Sequence, residues 1–329
     1  MKKQKNIEIA QKIVDILNDV DDKRWECGWH NWGSGFTNGK TNIKYKGLNF
    51  YRLYAETVLH GYKDNRWLTF NQIKSLGGSI KKDCKGTELM YFTIWDKKEK
   101  DYFNREKLIS SGLTPDEMEK YIEENVYGVI KHFYVFNVEQ CNNLNLKQLP
   151  TLSKEEINSR TNLIANEIIK NSEAKIYYDG ENRAYYNPKT DTIHLPEIKQ
   201  FKSMEDYYGT ALHEISHSTG HSTRLNRDLT GRFGTESYSK EEVIAEFSSV
   251  MLMGQANINL KRKNEANHAV YIKGWLEGIS KDKRAKELLS AINSADKATK
   301  YICDKYISKE LINDIKKKTR ARILFRNLK

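Results

Sequence analysis

Apolar residues recur with a helical period in several separate stretches of the chain. In "KNIEIAQKIVDILNDV", over 5–20, they fall on one face, which predicts an amphipathic helix. That face consists of Ile7, Ile9, Ile13, Val14, Ile16 and Leu17. The same reasoning predicts further helices at about 49–60, 115–125, 204–220, 239–255, 266–278, 283–292 and 294–305.

Aromatic and β-branched residues dominate other stretches, which predicts strands there. In the first half, "RWLTFNQIKSLGGSIKKDCKGTELMYFTIW" reads as a short helix, a glycine turn and a strand over 88–95. "KHFYVFNVEQCNNL" is a second strand of the same character, and the charged stretch 96–130 reads as an insertion. In the second half, "AKIYYDG" and "AYYNPKTDTIHLP" predict two strands, with "NPKTD" as the connecting turn.

The pattern of apolar and polar residues changes near "LKQLPTLSKEE", at 146–156. Pro150 ends one stretch there, and Ser153 with Glu156 forms a capping box that starts a new helix. A length of 329 residues also suits two domains better than one. We therefore predict an α+β protein, with a small domain built on a curved antiparallel sheet over 1–150. A mainly helical domain with a small sheet follows over 151–329.

The chain is basic, with a formal net charge of +11 and an isoelectric point of about 9.2. This favours a polyanionic partner such as nucleic acid, although a lysine-rich surface that serves only solubility explains it equally well. We expect no signal peptide and no membrane span, because no apolar stretch is long enough for either. The four cysteines are scattered without disulfide or metal spacing, which favours a reducing cytoplasm.

The motif with the clearest chemistry is "TALHEISHSTGH", at 210–221. His213 and His217 are four residues apart, so on a helix both imidazoles lie on one face and can reach one Zn²⁺ ion. Glu214 lies between them, where it can take a proton from a metal-bound water. The pattern H-E-x-x-H indicates a zinc peptidase, and a chance match on an ordinary helix is the competing interpretation.

A catalytic zinc needs a third protein ligand and one open position. One class of zinc peptidase uses a histidine six residues after His217, but Thr223 occupies that position. "YSKEEVIAEFSSVML" instead offers Glu241, Glu242 and Glu246.

We expect that helix to begin near Ser239, with Glu242 and Glu246 on one face. We favour Glu242 as the ligand and Glu246 as the carboxylate that orients a histidine. The alternative is that Glu242 only completes a capping box with Ser239. Tyr238 or His221 could assist the oxyanion, although each is more often structural.

The first half pairs aromatic rings with cations in "RWLTFNQ" and "YKGLNF". Single-stranded nucleic acid is held by such pairs, because rings stack on bases and cations meet phosphates. Against this, tryptophan is most often a core residue and a lysine run is usually a solvated turn. The candidate rings are Trp25, Trp29, Trp32, Tyr45, Trp67 and Phe70. The candidate phosphate contacts are Lys44, Lys46, Arg66, Lys74, Lys81, Lys82 and Lys85.

Both halves resemble one family, the ArdC-type antirestriction proteins. The matching segments run in family order: "YKGLNFYRL", "RWLTFNQIKSLGGSIKKDCKGTEL", "FYVFNVEQCNNL", "ALHEISHSTGHSTRLNRD", "YSKEEVIAEF" and "YIKGWLEGI". Such proteins join an N-terminal single-stranded-DNA-binding domain, shared with plasmid TraC-type primases, to a C-terminal zincin-like metallopeptidase domain. The resemblance implies a zinc site at His213, His217 and Glu242 with Glu214 as base. "RWECGW" and "KKDCKG" depart from the usual family pattern, at positions that concern DNA contacts.

The resemblance also implies a protein of mobile elements that protects incoming DNA from restriction. Its expected partners are single-stranded DNA and either a protein substrate or a component of a restriction system, and its zinc site is either active or vestigial. An alternative is a cytoplasmic regulatory zinc metalloprotease that cleaves one protein and uses the basic domain only for docking. A third is a primase accessory module, against which the lack of an acidic cluster for nucleotidyl transfer weighs.

Overall fold

The computed structural model of the chain describes residues 2–19, 35–146, 163–179, 183–231, 235–256, 258, 272–311 and 313. The labelled helices are α1 (Lys2–Asp19), α2 (Gly47–His60), α3 (Phe70–Ser75), α4 (Arg105–Ile109), α5 (Pro115–Asn125), α6 (Met204–Ser218), α7 (Glu236–Ala256) and α8 (Lys281–Tyr306). Further helical residues lie at 163–170 and 272–277. None of the described helices is long and apolar enough to cross a membrane.

The described strands form three sheets. They are β1 (Thr37–Asn38), β2 (Arg66–Thr69), β3 (Ser79–Ile80), β4 (Thr87–Asp96), β5 (Asp101–Tyr102), β6 (Val126–Asn137), β7 (Cys141–Asn142), β8 (Lys175–Tyr178), β9 (Tyr185–Asn187) and β10 (Thr192–Leu195). The largest sheet has the order β1-β2-β6-β4-β5 and is antiparallel except between β1 and β2. In the second half, β10 lies between β8, to which it is parallel, and β9, to which it is antiparallel. The predicted α+β class is confirmed.

Two hydrophobic cores hold these elements together. The first joins α1, α2 and the large sheet to α7, α8 and residues 272–277, so it takes side chains from both halves of the chain. The second packs α6 and the three-stranded sheet against the C-terminal parts of α7 and α8. The predicted boundary at 150 lies outside the described residues and stays a prediction.

Two hydrogen bonds tie the first half to α7. The buried Tyr51 hydroxyl donates to the backbone carbonyl of Phe247 at 2.6 Å, one residue after Glu246. The Lys44 ammonium donates to the carbonyl of Gly254 at 2.8 Å, in the last turn of α7. Because helix carbonyls near a C-terminus have no partner within the helix, Lys44 satisfies one of them.

Strand β6 begins at Val126, inside the stretch 96–130 that the sequence predicts as an insertion, and it ends at Asn137, before "VEQCNNL". Four further elements differ from the sequence-based expectation. "RWLT" is strand β2, where it pairs with β6, and the short helix begins only at Phe70. "AYYNPKTDTIHLP" contains both β9 and β10, so the small sheet has three strands. The two helices predicted over 283–305 are one, α8, because Ala291, Ile292 and Ala295 continue a single buried face. The Ser153–Glu156 capping box lies outside the described residues.

The fourth difference concerns α7, which begins at Glu236 rather than near Ser239. The Thr235 hydroxyl accepts a hydrogen bond from the backbone N–H of Tyr238 at 3.3 Å, as expected of a residue that caps the helix. Ser239 therefore lies within the first turns of the helix. A capping box between Ser239 and Glu242 is wrong, which leaves the Glu242 carboxylate available for another role.

Candidate metal centre

Helix α6 presents the H-E-x-x-H residues. Its N-terminus is capped by Ser203, whose hydroxyl accepts from the backbone N–H of Asp206 at 3.2 Å. Ala211, Leu212 and Ile215 are fully buried and fix the helix in the second core. The rings of His213 and His217 consequently lie side by side, with centroids 4.7 Å apart and their Nε2 atoms separated by 3.1 Å.

Helix α7 brings a carboxylate to the same point. One oxygen of Glu242 lies 3.5 Å from His213 Nε2, and the other lies 3.5 Å from His217 Nε2. Each of the three residues offers one donor atom, and these atoms all lie within 4.8 Å of one another. Among the described residues, this is the one cluster of histidine, cysteine and acidic side chains with such convergence.

The three donors fit a divalent ion. Two ligand atoms that each lie about 2.0–2.1 Å from a tetrahedral zinc are about 3.3 Å apart. The observed separations of 3.1 and 3.5 Å are close to that value. Two imidazoles with one carboxylate also form a donor set that zinc accepts, with a fourth position left for water or substrate.

A second layer of contacts orients both imidazoles. His213 Nδ1 lies 3.1 Å from a Glu246 oxygen, and His217 Nδ1 lies 3.1 Å from Glu241 Oε1. Arg227 holds Glu241 in turn, by donating from Nε and Nη2 at 2.8 and 2.6 Å. Contacts of this kind fix the tautomer and the direction of a ligating histidine. Glu246 lies within reach of His213, and its orienting role stays a prediction, whereas the Glu241–Arg227 pair is not apparent from the sequence motifs.

Glu214 is the buried carboxylate beside this cluster, with 7% of its surface exposed. Its negative charge acts on both histidines, since it contributes to raising the pKa of His213 and the pKa of His217. A carboxylate that is close to the donor atoms without being one of the three is what a general base at this centre requires.

Two family models match the chain. The N-terminal domain of the anti-restriction factor ArdC matches residues 3–136, and a zincin-like metallopeptidase domain matches residues 164–292. The Mn(II)-bound crystal structure of the antirestriction protein ArdC from plasmid R388 has a TM-score of 0.60 and 26% identity, over 92% of this chain and 98% of that one. The chain belongs to the ArdC-type antirestriction family. The metal-free structure of the same R388 protein, at 24% identity and a TM-score of 0.59, has the same fold.

Curated relatives of this family member include much longer proteins. Two DNA primases TraC of Escherichia coli are 31% and 33% identical over 92% and 89% of this chain. The chain spans only 27% and 19% of their lengths. The uncharacterized protein y4eC of Sinorhizobium fredii (strain NBRC 101917 / NGR234) is 30% identical over 84% of both chains.

Burial and the neighbouring carboxylates have opposite effects on the pKa values of His213 and His217. Burial lowers the pKa of His217, but hydrogen bonds to Glu241 and Glu242 outweigh it and raise the pKa to about 9. Burial likewise opposes a net rise in the pKa of His213, which Glu242 and Glu214 produce. Burial alone would raise the pKa of Glu242, yet both histidines hold it well below the usual range. In the metal-free chain, a proton on His217 is therefore favoured by the carboxylates around it, although the neighbouring His213 opposes it.

This gives a prediction for pH. Because the pKa of His217 rises from 6.5 to about 9 on folding, its contribution to the stability of the metal-free protein is complete below about pH 6.5. That contribution is lost as pH rises through about 9, so the metal-free chain should melt at lower temperature at pH 9. The zinc-loaded chain should change less, since the ion replaces the proton. The same dependence of melting temperature on pH in both forms would contradict this assignment. So would an undiminished dependence in metal-free His217→Asn, since only the smaller effect of His213 should remain there.

A second prediction concerns Arg227. Its replacement by methionine removes the guanidinium from the buried Glu241 carboxylate, which among the described residues keeps only His217, and from the backbone carbonyl of Ser216. This loss should cost about 3 kcal/mol in the free energy of unfolding. Arg66→Met, which breaks a more exposed pair with Asp64, should cost less than about 1 kcal/mol. Urea unfolding of the metal-free proteins measures both. Adding Glu241→Gln to Arg227→Met should recover much of the loss, and no recovery would contradict the pairing.

The two residues suggested to assist an oxyanion lie on two different elements, the turn after α6 and the first turn of α7. His221 Nδ1 is 2.8 Å from the Thr223 hydroxyl, in the turn that follows α6, and no described contact joins it to the three donors. Tyr238 is half-buried in the first turn of α7. Because Tyr238 precedes Glu242 by four residues, the two lie on one face of α7, and the suggested role of Tyr238 stays a prediction, as does that of His221.

The aromatic residues predicted to contact DNA differ in how far they are buried. Trp25, Trp29 and Trp32 lie outside the described residues. Trp67 is fully buried in the first core, in edge contact with Tyr62, so its assignment as a stacking ring is wrong. The Tyr45 ring is half-buried against the same core.

The cations divide in a similar way. Lys44 is bound to the end of α7, and burial lowers its pKa to about 8, so it is not a phosphate contact as placed. Arg66 is occupied by Asp64. The remaining lysines of the prediction are exposed, and Lys74 lies 4.7 Å above the ring of Phe70, which is 48% exposed. The exposed lysines are Lys46, Lys74, Lys81, Lys82 and Lys85.

Proposed function

We propose that this chain is an antirestriction protein that binds single-stranded DNA and hydrolyses peptide bonds at a zinc centre. The convergence of His213 Nε2, His217 Nε2 and the Glu242 carboxylate, with each imidazole backed by a further glutamate, is the observation that carries the proposal. The two imidazole donors favour a transition-metal ion such as zinc over hard ions such as Mg²⁺ or Ca²⁺, and zinc is the ion proposed. The Mn(II) in the R388 relative supports a divalent ion at a centre of this kind.

The residues of the chain would share the chemistry as follows. His213, His217 and Glu242 would hold the ion, which supplies Lewis-acid chemistry that lowers the pKa of water and polarises a peptide carbonyl. The Glu214 carboxylate would accept the proton of the attacking water and return it to the leaving amine. Glu241 and Glu246 would keep the imidazole Nδ1 protons in place, so that each Nε2 lone pair faces the ion.

Binding of single strands is supported by a cluster of exposed cations, here termed the basic surface: Lys40, Lys74, Lys81, Lys82 and Lys85, with the ring of Phe70. The Lys40 ammonium donates to the Ser75 hydroxyl at 2.7 Å, which places it beside α3 and Lys74. Lys81 donates to the Glu139 carbonyl from the turn that follows β3. Lys74 above the exposed Phe70 ring pairs a cation with a stacking surface, as single-stranded nucleic acid requires, and the other lysines add positive charge for phosphates.

Salt dependence tests this surface. The triple variant Lys81→Ala, Lys82→Ala and Lys85→Ala should bind a labelled oligo-deoxythymidine more weakly and reduce the salt slope of log Kobs by about 2, since each single-strand phosphate contact contributes about 0.7. The control removes the same number of exposed charges from the β4–β5 turn, as Lys97→Ala, Lys98→Ala and Lys100→Ala. Equal salt slopes of log Kobs for the two triple variants would show that Lys81, Lys82 and Lys85 are not part of the binding surface. No binding of single strands by the wild type at low salt would favour a metalloprotease that uses its basic half for docking.

A further inference from the structure

A cavity of about 290 Å³ lies where the first half of the chain meets α7 and α8. One wall comes from residues 44–46 and Phe50, within the motif "YKGLNF" and just before it. The opposite wall comes from the last turn of α7 and from α8, including Gln255, Thr299 and Cys303. Ligand sites often lie between two such units of structure, because neither wall alone encloses a ligand.

We propose that this cavity binds one nucleotide unit of a single strand, with the base against the aromatic wall and the phosphate at the ammonium of Lys46. The proposal rests on the proposed function, because it locates where a bound strand enters the protein. It adds a second point of contact to the basic surface, and that contact includes residues of the second half.

The lining matches both parts of a nucleotide. The rings of Tyr45 and Phe50 give an apolar wall, and Gln255 offers an amide for the edge of a base. The Thr299 hydroxyl is already hydrogen-bonded to Ser248. Lys46 is exposed at the rim, where its charge also acts on the Asp296 carboxylate. The lining holds Lys44, Lys46 and Lys300 against Asp296 and Asp304, so a phosphate would still meet a net positive charge. An inorganic anion alone would leave the aromatic wall unused.

A polar bridge connects the cavity to the basic surface. The Asn38 amide donates to the Tyr45 hydroxyl at 3.3 Å and to Gln72 Oε1 at 3.0 Å. Gln72 belongs to α3, which also carries Phe70 and Lys74. Two hydrogen bonds therefore connect Tyr45, in the wall of the cavity, to the helix that carries Phe70 and Lys74.

The floor of the cavity includes the hydrogen bond that joins Lys44, in the first half of the chain, to α7. Lys44, whose ammonium is bound to the Gly254 carbonyl, contributes to the lining together with Gly254 and Gly35. A nucleotide in the cavity would thus contact the final turn of α7, whose earlier turns carry Glu241, Glu242 and Glu246. Lys44 closes the site from below and keeps its structural role.

The test is calorimetric titration of the full chain with each of the four deoxynucleoside monophosphates, with inorganic phosphate and with oligo-deoxythymidine. At least one mononucleotide should bind the wild type and Cys303→Ala. Cys303→Phe, which fills the cavity, should abolish that binding, and the exposed Lys46→Ala should weaken it about 10-fold. Binding of phosphate as tight as that of every mononucleotide, or no saturation by any of them, would overturn the proposal.

The variants also separate this proposal from the proposed function. If oligo-deoxythymidine binds Cys303→Phe and Lys46→Ala as tightly as the wild type, the cavity is not part of the DNA site, while binding of single strands stands. If oligo-deoxythymidine does not bind the wild type, the proposed function fails as well. The melting temperature of Cys303→Phe shows whether this variant folds. If it does not fold, the binding of mononucleotides and oligo-deoxythymidine by Lys46→Ala tests the proposal.

Discussion

Glu214→Gln should lower peptide hydrolysis by about 10²–10⁴-fold while metal content stays at one ion per chain, because the substitution removes the general base and none of the three donors. Glutamine has nearly the same volume as glutamate, and the side chain is buried, so the packing of α6 is retained. The measurement is the rate at which the zinc-loaded protein cleaves a pool of quenched fluorescent peptides. Metal content is determined on the same samples.

The matched control for that experiment is Glu205→Gln, in the first turn of the same helix. It removes a charge that favours the helix N-terminus and should leave the rate unchanged. Equal rates for wild type and Glu214→Gln would remove Glu214 from the chemistry. A wild type that cleaves no peptide in the pool would count against a peptidase and leave a metal centre with a purely structural role.

Glu242→Ala should reduce zinc affinity by about 1000-fold, more than the 10–100-fold that loss of an orienting partner costs. The reason is geometric: the variant keeps both imidazoles but removes the one donor that α7 supplies to the cluster. Competition against a chromophoric chelator gives the affinity, and elemental analysis gives the ion content of purified protein.

Two other glutamates on α7, Glu236 and Glu246, provide controls for the zinc affinity of Glu242→Ala. Glu236→Gln, in the first turn and exposed, should bind zinc like the wild type. Glu246→Gln should fall between the two, because it frees the Nδ1 of His213 without removing a donor. If Glu246→Gln lost more zinc than Glu242→Ala, the roles of the two carboxylates would have to be exchanged.

The sequence was most informative where a local period decides the geometry. His213 and His217 lie together because a helix repeats every 3.6 residues, and the same period put Glu242 and Glu246 on one face of α7. Arg227 was not found because it lies in an irregular loop, and its contact with Glu241 spans 14 residues without a repeating pattern. Only the folded loop shows that a cation lies behind the carboxylate.

Aromatic residues were the least predictable from sequence. Trp67 and Phe70 are three residues apart in "RWLTF", yet Trp67 is fully buried and Phe70 is 48% exposed. The difference arises because Trp67 lies in β2, which pairs with β6, while Phe70 begins the helix that follows. Pairing between strands distant in sequence decides which ring is covered, and composition does not contain that information.

The Tyr51–Phe247 and Lys44–Gly254 bonds bear on how such a module could spread between genes. Helix α7, which carries three glutamates of the centre, is held by hydrogen bonds from the first half of the chain. A fusion protein that contained only the second half would therefore have the metal ligands but lack these two bonds. The TraC primases fit this view, because their matches run across both halves at once. Selection would then act on the pair as one transferable unit, with recombination between them disfavoured.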